Sequence, residues 1–187
     1  MGPRVRCPRE GGIPVSLREI QFTSANGRDI IQAWAYEPVG QPKAVVQVVH
    51  GLGEHSRRYL HLISALLDAR FVVVADDHAG HGRTAMQQGT WGDAGDDGAT
   101  VVVADELTLQ AKAREAFPAL PYVVFGHSWG SMIARGMASD PRARLAGLAL
   151  CGIAAQLQGI ERVIDRPELA RLATGDSRTE PAPQELV

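Results

Sequence analysis

Four short, predominantly apolar runs, at residues 44–49, 71–75, 122–125 and 145–151, constrain this chain more than any other feature. Strands that are apolar on both faces belong to a parallel sheet covered by helices on each side. Stretches of helical period do lie between the runs. Tyr59, Ile63, Leu66 and Leu67 fall on one face of a helix beginning near Ser56, and Val103, Leu107 and Ala111 mark the core face of a second before Phe117-Pro118. A third spans 128–139 and stops at Asp140-Pro141. Ahead of these, two extended runs at 17–23 and 30–36 flank Ala25-Asn26-Gly27-Arg28, a strong hairpin signal. The expected architecture is therefore α/β: an open, mostly parallel sheet with helices on both faces, right-handed crossovers and an N-terminal antiparallel hairpin. In such sheets chemistry gathers at the carboxyl ends of the strands.

At 187 residues the chain is one domain. Lys+Arg 19 against Asp+Glu 21 leaves a formal charge of -2, so no basic field exists to hold nucleic acid or an anionic membrane. No apolar stretch approaches the ~18 residues of a spanning helix. Arg4, Arg6 and Arg9 lead into Glu10-Gly11-Gly12-Ile13-Pro14 rather than an apolar core, unlike a secretory signal, and Arg6 stands where myristoylation would want Ser or Thr. The expectation is a cytoplasmic protein. Cys7 and Cys151 are too few for a disulfide framework or a thiolate metal site and read as free thiols.

The strongest chemical signal is Gly126-His127-Ser128-Trp129-Gly130, set between an apolar strand and a helix, the context of a nucleophile elbow. The sharp turn strains the serine backbone, and the glycines let neighbouring chain come close. The competing reading of Ser128 is an ordinary helix N-cap. Against it, the run at 44–49 ends in His50-Gly51-Leu52-Gly53-Glu54-His55-Ser56. That glycine-rich turn can aim an amide, that of Leu52, at a developing oxyanion, beside the amide of Trp129. A dinucleotide site fits less well, because Gly51 and Gly53 lack a third glycine.

His50-Gly51-Leu52-Gly53-Glu54-His55-Ser56-Arg57-Arg58-Tyr59, then Asp77-His78-Ala79-Gly80-His81-Gly82-Arg83-Thr84, then Gly126-His127-Ser128-Trp129-Gly130-Ser131 resemble the monoacylglycerol lipase and lysophospholipase branch of the α/β-hydrolases. The resemblance runs from about Phe22 to Ala155. It implies an α/β-hydrolase fold lacking its last strands, and a cofactor-free serine hydrolase acting on small carboxylic esters, lipid monoesters above all. By position it implies Ser128 as nucleophile, Leu52 and Trp129 as the oxyanion hole, and Gly51, Gly53, Gly126 and Gly130 as supporting turns. Trp129 departs from the Met common at its position, and its bulk would narrow the acyl pocket. On this reading residues 1–16 are a flexible start, 17–155 a partial hydrolase core, and 156–187 the start of a lid or a disordered tail.

Asp76, Asp77, His78 and His81 invite a metal reading, but no further ligand cluster is apparent and the block reads as a structural turn; no metal is expected. His50 and His55 read as loop-shaping residues. The run Asp93-Ala94-Gly95-Asp96-Asp97-Gly98 misses the spacing of a calcium loop and reads as a solvated connection.

The order of a triad in this fold is Ser, then Asp or Glu, then His. All six histidines, at 50, 55, 61, 78, 81 and 127, precede Ser128. His127 should point elsewhere, and His50 or His81 would need an unrelated geometry. Asp140, Asp165 and Asp176 are candidate acids by order alone, and none is assigned. Two consequences are expected. Activity should fall to the residual that an oxyanion hole and binding supply, on the order of 10³ to 10⁴ over water. The strand at 145–151 should form an unpaired sheet edge open to self-association. The alternative to an impaired ester hydrolase is a non-catalytic remnant that binds acyl ligands or a partner. Amide-cleaving and acyl-transfer chemistry would use the same elbow and hole.

Overall fold

The computed structural model describes residues 5–6 and 16–153. Seven strands form one sheet: β1 (Val5–Arg6), β2 (Ser16–Thr23), β3 (Ile30–Glu37), β4 (Val45–Val49), β5 (Val72–Asp77), β6 (Tyr122–His127) and β7 (Gly147–Cys151). Their spatial order is β1-β2-β3-β5-β4-β6-β7. The pairs β5–β4, β4–β6 and β6–β7 are parallel, and the first three strands join antiparallel. This is the expected mostly parallel sheet with its hairpin. Each of β4 and β5 is buried along its whole length, as the apolar runs require. The hairpin turns through 24–29, where Gly27 at φ 69° takes the left-handed conformation and Asn26 Oδ1 accepts from the amides of Arg28 and Asp29.

Helices α1 (Leu60–Asp68), α2 (Gly82–Gln88), α3 (Gly98–Ala116) and α4 (Trp129–Ser139) complete the fold. On one face Tyr59 and Ile63 pack with Trp34, Tyr36, Val46, Val48, Val73 and Ala75, with Leu66 and Leu67 against them. On the other, α3 and α4 bury Val102, Ala113, Ile133, Ala134 and Met137 over Val45, Val49, Val74 and Val124. Burying each such aliphatic side chain contributes roughly 1.5–3 kcal/mol. No described helix is long and apolar enough to cross a membrane.

Three features depart from expectation. The core face of α3 is not the Val103, Leu107, Ala111 stripe. Its buried residues are Val101, Val102, Asp105, Glu106, Leu109, Gln110 and Ala113. Val103 is only partly buried and sits over Gly136 of α4, while Leu107 and Ala111 line an open groove with Arg114, Arg142 and Arg144. Polar side chains win the buried face because distant partners receive them: Asp105 accepts from Ser24 Oγ at 2.6 Å, and Gln110 donates to the Ala143 carbonyl at 2.8 Å. Second, α2 begins inside the block read as a turn and runs on to Gln88. Its own N-cap, His81, makes no side-chain cap, and the amide of Arg83 is capped instead by Asp77 Oδ2 at 2.7 Å, a contact invisible in local sequence. Third, β7 is less buried than its apolar composition suggests. Among the described residues it pairs only with β6, and Leu148 is 40% exposed. Among the described residues β7 thus forms one edge of the sheet. Cys151 is a free, exposed thiol, while Cys7 and the segments 1–4, 7–15 and 154–187, with Asp165 and Asp176, lie outside the described residues.

Candidate active site

β4 and β6 are adjacent and parallel, so the loops leaving their carboxyl ends meet. After β6 the chain bends at Ser128, whose φ of 53° and ψ of -119° lie where L-residues are strained by about 1–3 kcal/mol. The bend is fixed on both sides. Ser128 N donates to the Cys151 carbonyl at 2.8 Å, and the Ser128 carbonyl accepts from Ser131 N at 2.9 Å and Ser131 Oγ at 2.6 Å. The N-cap alternative for Ser128 fails on this point, since its side chain makes no cap hydrogen bond.

Close approach dictates the flanking glycines. A Cβ on Gly126 would stand 2.3 Å from the Gly130 carbonyl oxygen, and one on Gly130 would stand 2.2 Å from Val49 O and 2.5 Å from His50 O. The end of β4, the end of β6 and the start of α4 are thus pressed backbone to backbone. A Cβ on Gly51 would lie 3.3 Å from Ser128 Cβ, so the glycine-rich loop passes directly beside the serine. Gly53, at φ 68°, turns that loop away. Trp129 opens α4, where an amide has no intrahelical acceptor. Leu52, 69% exposed, follows Gly51 at the open rim.

Glu54 ties the loop down. Its Oε2 accepts from Gly51 N at 3.1 Å and from the Tyr59 hydroxyl at 2.6 Å, with His127 Nδ1 at 3.6 Å. Burial alone would raise this carboxyl, but the bonds from Tyr59 and Gly51, with His127 and Arg58 nearby, hold it below the usual carboxylate range. A depressed folded value means that the stabilisation is present at neutral pH and is lost as pH falls through that lowered value. The protection factor of the Gly51 amide, its exchange rate corrected for the intrinsic pH dependence, should therefore fall on acidification below the ordinary carboxylate range, and Glu54→Gln should remove that acid-dependent step.

The histidines separate into two groups. His127 places its Nδ1 3.6 Å from Glu54 Oε2. His50, His78 and His81 are buried. His50 Nδ1 donates to the Gly51 carbonyl at 2.8 Å and its Nε2 accepts from His78 N at 3.2 Å; burial and His78 hold it well below the ordinary histidine value. It shapes the loop, as the sequence suggests. The Trp129 indole stacks on His81, with centroids 5.3 Å apart, and meets His78 edge-on at 5.6 Å.

Asp76, Asp77, His78 and His81 stand together in the sequence. The structure regroups them. Asp77 is a loop anchor: its Oδ1 accepts from Ser56 N and Oγ at 2.8 and 2.7 Å. His81 Nδ1 bonds the Ala79 carbonyl at 3.0 Å. Asp76 and His78 instead meet Glu106 of α3, and ligand atoms of the three lie within 4.8 Å of one another. Glu106 lies 28 residues beyond His78, and no local motif marks it. The signal that could have found its partner was Gln47, a lone polar residue in an otherwise apolar buried strand, which must find a hydrogen bond. Burial drives the Glu106 carboxyl well up, with Asp76 adding to it, whereas for His78 burial lowers the imidazole but Asp76, the His50 carbonyl and Asp77 together raise it.

The acidic run after α2 is tied rather than free: Arg28 Nη1 lies 2.7 Å from Asp93 Oδ2, although Asp96 and Asp97 are exposed. Asp140 is bound to Arg142 at 2.6 Å.

A strained serine on a strand–turn–helix bend, at the carboxyl edge of a mostly parallel sheet, is the arrangement of the α/β-hydrolases. Residues 40–174 match the family described as serine aminopeptidase, S33, and the chain belongs to that family. It is 36% identical to monoglyceride lipase of Homo sapiens over 149 residues, covering 79% of this chain and 47% of that one. To monoacylglycerol lipase of Mycolicibacterium smegmatis it is 34% identical over 116 residues, covering 62% and 39%. The chain thus spans about half the length, or less, of these curated relatives. Among solved structures, a lipase in an open form is 68% identical with a TM-score of 0.83, covering 91% of this chain and 55% of that one. A thermostable carboxyl esterase from Bacillus coagulans, in complex with glycerol, is 49% identical with a TM-score of 0.78, covering 84% and 50%. The resemblance to a lipase-like branch of the α/β-hydrolases is upheld.

Proposed function

We propose that this chain carries the nucleophile and the oxyanion hole of a serine hydrolase for carboxylic esters, with monoacylglycerols or lysophospholipids as substrates. The single observation that carries the reading is the left-handed Ser128 backbone lying directly beside Gly51. Ser128 Oγ attacks the acyl carbon, the Leu52 and Trp129 amides receive the oxyanion, and an acyl-enzyme forms and is hydrolysed. Lipase and esterase relatives support the ester class. No general base is assigned within this chain. A base must come within about 3 Å of the hydroxyl, and the triad order of the fold places the acid and histidine after the serine.

A second reading, a non-catalytic acyl-binding protein, draws on one observation. Among the described residues no imidazole hydrogen-bonds Ser128; those of His50 and His81 bond backbone carbonyls, and His127 faces Glu54. Hydrolysis of a monoacylglycerol by the purified chain separates the two. The proposal expects a slow rate, on the order of 10³ to 10⁴ above the uncatalysed reaction, changed little by Ser128→Ala, because the oxyanion hole and binding supply that residual. Acyl-ligand binding with no turnover above background would favour the second reading.

A further inference from the structure

Beneath the glycine-rich loop, between β5 and α3, lies a cluster that ester hydrolysis does not use. Asp76, His78 and Glu106 are at most 1% exposed, and His78 Nδ1 stands 3.2 Å from both Asp76 Oδ1 and Glu106 Oε1. We propose that these three side chains bind a divalent transition-metal ion, zinc being the best match, that locks the loop carrying Gly51 and Leu52 in place.

Three observations carry the proposal. The first is spacing. Two ligands each about 2.0–2.1 Å from a tetrahedral zinc stand roughly 3.3 Å apart, the separation found here on two edges of the group. The second is unmet demand. Asp76 Oδ1, Asp76 Oδ2 and Glu106 Oε1 are buried and accept no hydrogen bond, although Nδ1 is 3.2 Å from two of them. That contact lies off the hydrogen-bonding direction. Asp77 and Asp105 are buried nearby, and among the described residues no Lys or Arg forms an ion pair with Asp76 or Glu106. Two buried carboxylates against one imidazole leave negative charge that a divalent cation would neutralise.

The third observation is how the three groups are held. Metal-binding histidines characteristically donate their other ring N–H to a carbonyl, and the carboxylate ligands are themselves hydrogen-bonded. Here His78 Nε2 faces the His50 carbonyl at 3.3 Å, leaving the Nδ1 lone pair for the ion. Gln47 Nε2 donates to Glu106 Oε2, and Gln47 is itself fixed by the Tyr122 hydroxyl, which donates to Gln47 Oε1 at 2.5 Å. One imidazole and two carboxylates form a three-ligand set suited to zinc, with a fourth position for water. Because His78 also donates its backbone N–H to His50 Nε2, an ion on His78 would pin the residue preceding Gly51 by two contacts.

The competing account places a proton between the carboxylates and a second proton on the imidazole, with no metal. The test is metal content of the full chain by mass spectrometry after zinc loading and dialysis, with cobalt(II) as a spectroscopic probe. The proposal expects one equivalent of zinc, a melting temperature that rises with zinc and falls with a chelator, and the visible spectrum of four-coordinate cobalt. Asp76→Asn and Glu106→Gln, which keep side-chain shape, should each lose at least tenfold in zinc affinity, and Gln47→Leu roughly 10–100-fold. A folded wild-type chain that retains no zinc, shows no zinc-dependent melting shift and carries a proton on His78 Nδ1 by nitrogen NMR would overturn the site. Since wild type alone decides that outcome, a variant that fails to fold does not blunt the test. The result is also independent of whether Ser128 is reactive.

Discussion

Gly130→Ala should destabilise the protein by about 4 kcal/mol or more, most of the stability of a domain at the low end of the ordinary range of about 5–15 kcal/mol. The new methyl would lie 2.2 Å from Val49 O and 2.5 Å from His50 O. Both are backbone atoms at the end of a fully buried strand, so no rotamer change relieves the overlap. The gain of up to about 1 kcal/mol in helix propensity from glycine to alanine cannot offset it. Gly136, in the same helix, is the control. A Cβ there meets Val103 Cγ2 at 2.9 Å, the end of a half-buried side chain. Gly136→Ala should therefore change stability by no more than about 1 kcal/mol in either direction. Chemical denaturation of the two variants gives the comparison directly; equal effects would mean that the β4–α4 contact is looser than described.

The second large effect is expected at Asp77. Its carboxylate accepts from the Ser56 amide, the Ser56 hydroxyl and the Arg83 amide at 2.7–2.8 Å, so one side chain holds the turn before α1 and starts α2. Asp77→Ala leaves three donors without acceptors in a buried site, at a cost of about 3–5 kcal/mol. Gly82 belongs to the same design, because a Cβ there would stand 2.5 Å from Asp77 Cγ. The denaturation midpoint of Asp77→Ala measures this. A loss below about 1 kcal/mol would show that water replaces the carboxylate freely.

The sheet and the Ser128 bend were legible because each is encoded locally. Predominantly apolar runs mark β4 and β5, and Gly126 and Gly130 bracket the serine at the spacing where three backbones must touch. What escaped is encoded between distant residues. The α3 face was misread because Asp105, Glu106 and Gln110 are buried by Ser24, Gln47 and the Ala143 carbonyl, none within 30 residues of its partner. The start of α2 escaped for the same reason, its cap being Asp77 six residues back rather than its own first residue. Polar burial needs a partner, and a partner far along the chain leaves no periodic trace. The exception is Gln47, whose isolation in β4 announces a buried partner without naming it.

The central claim is that Ser128 presents a reactive hydroxyl to two amides. Labelling the full chain with a fluorophosphonate, mapping the adduct by peptide mass spectrometry and solving the adduct structure tests it most directly. The account predicts a single adduct on Ser128 Oγ, with the phosphoryl oxygen about 2.7–3.1 Å from the Leu52 and Trp129 amides, and none on Ser128→Ala. A folded chain that stays unlabelled, or an adduct whose oxygen faces solvent with both amides turned away, would contradict it.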